Sequence, residues 1–278
     1  MNEKIPLLPR VLKWSAFAAV SVNGFAPLAW ILATSLKTDH ELVSRPITWW
    51  PKEPTLVNYV RAFSEQPLLR FVGNSFAVSL LSSALAVVVA AAAAYALARL
   101  PVPRRGLWLT ALIAVAMCPP ASLLAPLFET LRSLGLLNSW AALVLPNAVS
   151  SLPVCTLVLV AFFRALPVEL EEAALMDGCS RAHALRTITL PLAIPGLATA
   201  ALLAFVNSWD EFLFALTFNA TPSARTLPVG IMYYQGEYTF PWPVISAALV
   251  VGILPLAVLI VVFQDRVIGG LTAGGVKG

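Results

Sequence analysis

Six stretches of this chain run for at least 23 residues without an Asp, Glu, Lys or Arg: 14–36, 71–98, 106–128, 133–163, 187–209 and 238–264. A helix rises about 1.5 Å per residue and a bilayer's hydrocarbon core is about 30 Å thick, so about 20 apolar residues cross it. The next-longest such window, 212–224, is too short. Backbone amides in lipid must bond within their own segment, so each stretch is expected to be helical. The predicted spans are 14–36, 71–98, 106–128, 139–163, 192–214 and 243–264, with a long loop at 164–191. The expected fold class is all-α integral membrane, and 1–278 reads as a single transmembrane domain.

Composition agrees. The chain is 59% hydrophobic and 12% charged, against roughly 25% charged in a soluble domain. The net charge of +4 does not point to nucleic acid, because the basic residues are scattered between spans. Of the three cysteines, Cys118 and Cys155 lie in apolar spans and Cys179 in a loop, which gives no disulfide framework. Lys4, Arg10 and Lys13 precede the first apolar stretch, as in a secretory signal. At 23 residues that stretch exceeds a signal's 7–15-residue apolar region, so it reads as a retained span bent at Pro27.

Six spans put both termini on one side. That side's segments hold 11 Lys and Arg against 7 on the other, and the turn Arg99–Gly106 alone holds three arginines. The positive-inside rule places both termini and the loop 164–191 in the cytoplasm. The loops 37–70 and 219–242 are then external, and the second carries Tyr233, Tyr234, Tyr238, Phe240 and Trp242. Trp49, Trp50, Trp140 and Trp242 near span ends fit an interfacial aromatic belt or a sugar-stacking surface. Pro119, Pro120, Pro126, Pro146, Pro153 and Pro255 imply kinked or broken helices at membrane depth.

The loop LPVELEEAALMDGCSRAHALRTITLP, 166–191, reads as two short helices. Pro167 suits a first helical position, and Glu169, Glu171 and Glu172 suit a first turn, where the helix dipole favours anions. Gly178 suits the left-handed residue that ends a helix. Ser180 can cap a second helix, His183–Thr189, which Pro191 is expected to close off from the next span. Val168, Leu175 and Met176 give an apolar side, and Ala173 and Ala174 a small waist. Such an elbow fits a groove on a partner protein; an amphipathic loop lying on the membrane surface fits as well.

Glu172-Ala173-Ala174, then Asp177-Gly178, then nine residues to Ile188 and Leu190-Pro191, resemble the EAA loop of binding-protein-dependent ABC importer permeases. Cys179 stands where Ala is usual in that family, and Leu185 where Phe is common. The resemblance extends along most of the chain. It takes in Ser35-Leu36-Lys37, Asn58-Tyr59, Gly73-Asn74-Ser75, Ala94-Tyr95-Ala96-Leu97-Ala98-Arg99 and Ala161-Phe162-Phe163. It continues through Asn207-Ser208-Trp209-Asp210-Glu211-Phe212 and the tail Gly269–Gly278. Together these are similar to the second six-span permease of maltose-type and trehalose-type sugar importers.

The resemblance implies a type I ABC importer permease fold in a bacterial inner membrane. It implies that Glu172, Ala173, Ala174, Met176, Asp177, Gly178, Ile188, Leu190 and Pro191 couple to a cytoplasmic ATPase dimer. It implies three further partners: a homologous permease, an extracytoplasmic solute-binding protein and a sugar. Tyr233, Tyr234 and Tyr238 are candidate contacts for the binding protein. Asn207, Ser208, Asp210 and Glu211 are candidates for the translocation path or the permease–permease seam, or they simply end the fifth span at the interface. Asn207 and Glu211, four apart on a helix, would share a face.

The sequence has no G-x-x-x-x-G-K-[ST] phosphate loop. No catalytic residue, metal or cofactor is expected in this chain, and ATP and Mg are expected on a separate ATPase. Asn219-Ala220-Thr221 reads as a chance glycosylation sequon, and His40 and His183 lie in different compartments. An ion-coupled secondary carrier is the alternative, supported by Asp210-Glu211 near membrane depth. No obvious internal repeat of the kind such carriers often carry is present.

Overall fold

The computed structural model describes residues 7–236 and 240–273, with side chains described over 13–236 and 240–264. Every regular element among these is a helix: α1 (Leu7–Ser35), α2 (Asp39–Val43), α3 (Val57–Glu65), α4 (Leu68–Arg99), α5 (Arg105–Ala116), α6 (Leu124–Ser133) and α7 (Trp140–Ala165), then α8 (Glu169–Met176), α9 (Arg181–Ala184), α10 (Leu190–Leu192), α11 (Ile194–Trp209), α12 (Leu213–Phe218), α13 (Leu227–Met232) and α14 (Trp242–Ala273). A 3-10 turn, Pro120–Leu123, leads into α6, and a π-helical turn, Leu185–Thr189, joins α9 to α10. Four helices, α1, α4, α7 and α14, are each long and apolar enough to cross a membrane. Among the described residues, two bent pairs bring the candidate spans to as many as six, if each pair is one broken span.

Both bends have local causes. The stretch 106–128 does not form one straight span: α5 stops at Ala116, and the chain turns by 87° before continuing from Pro120 to Ser133. A residue before proline is pushed out of the α region, and Pro119, before Pro120, is extended at φ −67°, ψ 127°. The second bend, 76°, separates Arg181–Leu192 from α11. Pro191 does not close the loop from the next span, because it lies inside the turn Leu190–Leu192. The interruption belongs to Pro195 in the first turn of α11. Proline has no N–H to offer the carbonyl four residues back, here that of Pro191, and its ring crowds that carbonyl.

The chain divides into two compact units, Met1–Leu68 with Ile231–Leu254, and Leu69–Gly230 with Pro255–Gly278. In the first, Asn58 is buried and its amide donates to the carbonyls of Ser35 (2.9 Å) and Lys37 (2.8 Å). The Ser35 hydroxyl lies 2.8 Å from that of Tyr59. Lys37, only 2% exposed, donates to the Thr48 carbonyl and sits 4.7 Å over the Trp30 ring. The separated sequence pairs Ser35…Lys37 and Asn58-Tyr59 are thus one tether for the loop after α1.

In the second unit the core is built on small side chains. Ala86, Ala90 and Ala94 recur at four-residue spacing on α4, in one buried cluster with Ala148, Cys155 and Leu159 of α7 and Ala200 and Ala204 of α11. Without a hydrophobic driving force between helices in lipid, close backbone approach supplies the packing. Gly196 illustrates how close: a Cβ there would lie 2.4 Å from the Phe162 ring. A second cluster gathers Val78, Leu131, Leu143, Phe214, Phe218 and Val229. Asn74 organises the segment before α13, donating at 2.9 Å to both Ser223 and Arg225 carbonyls while accepting from the Trp140 indole at 3.1 Å. The Ser75 hydroxyl accepts from the Leu227 amide at 2.8 Å. Asn219 is fully buried, donating to Ser139 and Ala224 carbonyls.

Candidate functional site

The elbow between α8 and α9 is defined by its end caps. The Gly178 amide donates to the Leu175 carbonyl at 3.1 Å, and the Cys179 amide to the Ala174 carbonyl at 3.0 Å. These two bonds, 5→2 and 6→1, are a Schellman motif. It needs a left-handed residue, and Gly178 has φ +86°. Ser180 then caps α9, its hydroxyl accepting from the His183 amide at 3.3 Å. Two details depart from the sequence reading. Pro167 precedes α8, whose first residue is Glu169. The second helix begins at Arg181 and continues through the π turn to Leu192, rather than covering His183–Thr189 alone.

Helix α8 has two unlike faces. Met176 is 88% exposed, with Glu172, Ala173, Asp177 and Gly178 exposed beside it. Val168 and Leu170 add exposed apolar surface at its start. Ala174 is buried, Leu175 half-buried and Glu171 buried, so Ala174 belongs to the inner face. Ile188 and Leu190 are half-buried and Pro191 is exposed.

Glu171 is the residue sequence reasoning missed. It is not a solvated first-turn acid: its Oε1 accepts from the Tyr95 hydroxyl, and its Oε2 lies 3.7 Å from Arg99 Nε. Arg99 Nη2 also donates to the Leu166 carbonyl at 2.8 Å. The available signal was Tyr95 and Arg99 themselves, two polar side chains four apart at the end of an apolar run, hence on one helix face.

The polar group at the end of α11 is arranged differently from the prediction. Helix α11 ends at Trp209, so Asn207 and Glu211 are not two positions on one helix face, and the span does not run unbroken from 192 to 214. Asn207 donates to the Ser151 hydroxyl and Asn147 to the Ser208 hydroxyl, each at 3.1 Å, pinning α11 to α7. Ser208 is buried. Glu211 turns forward and accepts the amides of Phe214 (2.6 Å) and Ala215 (3.0 Å), capping α12. Asn207, Asp210 and Glu211 nevertheless line one cavity of about 660 Å³ with Leu203, Val206 and Ile260.

Of the aromatic candidates, Tyr233 is 42% exposed and lines a cavity of about 830 Å³ with Asp39, Arg61, Glu65, Phe240 and Trp242. Tyr234 is buried and its hydroxyl donates to the Ala62 carbonyl. Burial, with the Glu65 charge, pushes that hydroxyl up to about 12, so it stays a donor and serves the packing. Tyr238 lies outside the described residues.

Comparison with known proteins places this geometry in context. Residues 70–271 match the family of binding-protein-dependent transport system inner membrane components. The sulfoquinovosyl glycerol transport system permease protein SmoH of Agrobacterium fabrum is 60% identical, with 96% of this chain and 94% of that protein covered. The trehalose transport system permease protein SugB of Mycobacterium tuberculosis is 38% identical, over 97% and 98%. The trehalose/maltose transport system permease protein MalG of Thermococcus litoralis is 36% identical over the whole of both chains. Among solved structures, a chain of a bacterial ABC transporter involved in alginate import superposes with a TM-score of 0.78 at 17% identity, covering 95% of this chain and 98% of that one.

Proposed function

We infer the work of this chain from its family: it belongs to the binding-protein-dependent transport system inner membrane components. It is a multi-pass inner-membrane permease subunit of an ABC importer with the type I permease fold, not an ion-coupled carrier. The family implies a partner permease, an ATPase and a solute-binding protein. Our reading adds the following. The domain is 1–278 with six spans, both termini and the loop 164–191 facing the cytoplasm. ATP and Mg are bound by a separate ATPase dimer, and this chain supplies the lever and half of the path.

The observation that carries this reading is the two-faced α8. A helix end locked by a Schellman motif presents Met176, Glu172, Ala173 and Asp177 outward. An exposed methionine flanked by carboxylates fits a groove with an apolar floor and a basic rim, and the charges steer its approach. Closure of the ATPase dimer on ATP would push α8, and the helices above would tilt from inward-facing to outward-facing. A few kcal/mol of differential affinity moves such a two-state equilibrium by orders of magnitude. Tyr233 is the exposed candidate for the binding protein, and Asn207, Asp210 and Glu211 are candidates for the path.

The solute we propose is a sugar. The 60% relative makes a sulfonated glycoside the first to test, ahead of trehalose and maltose. Proteoliposomes holding both permeases and the ATPase, with the binding protein outside, should accumulate one of these three sugars only when ATP is enclosed. Accumulation driven by an ion gradient without ATP would overturn the reading.

A further inference from the structure

The Tyr95–Arg99–Glu171 group contains a buried ion pair. Arg99 and Glu171 side chains are 9% and 7% exposed. The ion pairs Arg61–Asp39, Arg61–Glu65 and Arg132–Glu129 are all at least a third exposed on both partners. A buried ion pair is a costly way to hold two elements together, because desolvation can exceed the attraction gained. An apolar contact would hold the loop as firmly. The Arg99–Glu171 contact, at 3.7 Å, is an ion pair without a hydrogen bond; the directed bonds, from Tyr95 to Glu171 and from Arg99 to the Leu166 carbonyl, add a fixed position and rotation.

The bonds also reach across the chain. Helix α8 is joined covalently toward α7 on one side and α9 on the other. Tyr95 and Arg99 belong to α4, 76 residues from Glu171 and 67 from Leu166. From one helix face they grip both Leu166, the residue that follows the end of α7, through its carbonyl, and the first turn of α8, through Glu171. The Tyr95 ring is itself set edge-on against Phe163 of α7, with centroids 6.3 Å apart and ring planes at 85°.

We propose that Glu171, held by Tyr95 and Arg99, is a positioning joint that makes α4 move with the coupling elbow. Displacement of α8 then reaches the second span directly, and not only through its covalent neighbours. Glu172, one residue on, faces outward to the ATPase, so adjacent carboxylates divide docking from transmission. This joint rests on the docking reading above.

The test uses the complete complex in proteoliposomes, with sulfoquinovosyl glycerol, trehalose and maltose each offered as the transported probe. ATPase co-purification, ATP hydrolysis and uptake are measured together. Glu171→Gln keeps an acceptor for Tyr95 but removes the charge that faces Arg99. It should retain the ATPase at wild-type yield and lower sugar transported per ATP about tenfold. Tyr95→Phe should lower the same ratio severalfold, and the double variant should be no worse than Glu171→Gln alone, since both act on one joint. A merely structural role would lower complex yield and leave sugar per ATP unchanged, and that result overturns the joint. If Glu171→Gln does not assemble, Tyr95→Phe decides, because it removes one hydroxyl: a wild-type ratio there also overturns it. Glu172→Lys separates the two claims. Wild-type yield and ratio in that variant sink the docking reading and the joint with it. A defective Glu172→Lys beside normal Glu171→Gln and Tyr95→Phe sinks the joint alone.

Discussion

Two acidic pairs stand at helix ends in this molecule, and they are used in opposite ways. In α8 the backbone is helical through Glu171 and Glu172, so successive side chains point about 100° apart. One turns inward to Tyr95 and Arg99, and the other remains exposed. After α11 the helix has already stopped at Trp209. Glu211 is therefore free to fold forward along the chain and cap α12, while Asp210 stays exposed. The first pair reaches a distant helix, and the second serves its own neighbours. The state of the backbone, more than the residue type, decides whether a carboxylate braces or caps.

The largest effect should come from breaking the first region at its hinge. Gly178→Val leaves Glu171 and its partners in place but forces a β-branched residue to φ +86°. Nothing lies within 4 Å of the added Cβ, so the penalty is conformational rather than steric crowding. A left-handed conformation costs an L residue about 1–2 kcal/mol, and more when β-branched. Uptake should fall more than tenfold while the protein still inserts; Gly178→Asn, which tolerates this conformation, should recover most of it. Wild-type uptake by Gly178→Val would remove the elbow from the mechanism.

The second region should break by local melting. Glu211→Ala removes both acceptors from the first turn of α12 and should destabilise it by about 1 kcal/mol, the usual worth of a helix cap. Glu211→Gln, which keeps one acceptor oxygen, should lose less. Thermal unfolding of the purified complex reads both, and equal stability for Ala and wild type would deny the cap. Asp210→Asn should be milder, within about 0.5 kcal/mol, as for an exposed residue outside any network.

The smallest effect concerns a third carboxylate that resembles Glu211 in being local. Glu41 accepts from the Lys52 amide at 2.9 Å and the Thr48 hydroxyl at 2.8 Å, and these bonds hold its pKa below the usual carboxylate value. A lowered folded pKa means the contribution is complete above the unfolded value of about 4.3 and lost as pH falls through the folded one. Tryptophan fluorescence should report this, since Trp49 of the same loop meets Trp30 of α1 edge-on at 5.4 Å. Glu41→Gln should abolish the acid-dependent part of that signal; an unchanged acid response would assign it elsewhere.

What the sequence made legible follows the same division. The α8–α9 elbow was readable because caps are local: Asp177-Gly178 and Ser180 act within four residues of themselves. The tethers of Ser35, Asn58 and Asn74 were visible only as resemblance, because their partners lie 21 to 151 residues away. The inward turn of Glu171 was hidden for the same reason. Helix α11 ends at Trp209, where the charge-free window ends, and not at 214: the acidic pair Asp210-Glu211 marks the break. The bend in the third stretch was signalled by Pro119-Pro120, whose effect on the preceding residue outweighs apolar continuity.

The most direct test of the central claim is cross-linking from adjacent positions of α8. In a background lacking Cys118, Cys155 and Cys179, single cysteines at 171, 172 and 176 would be treated with a short bifunctional thiol reagent in the assembled complex. The outward positions 172 and 176 should cross-link to the ATPase, with a yield that changes when ATP is added, and the inward position 171 should not. No cross-link from 172 or 176 in a complex that still transports sugar, or equal cross-linking from 171, would contradict the account.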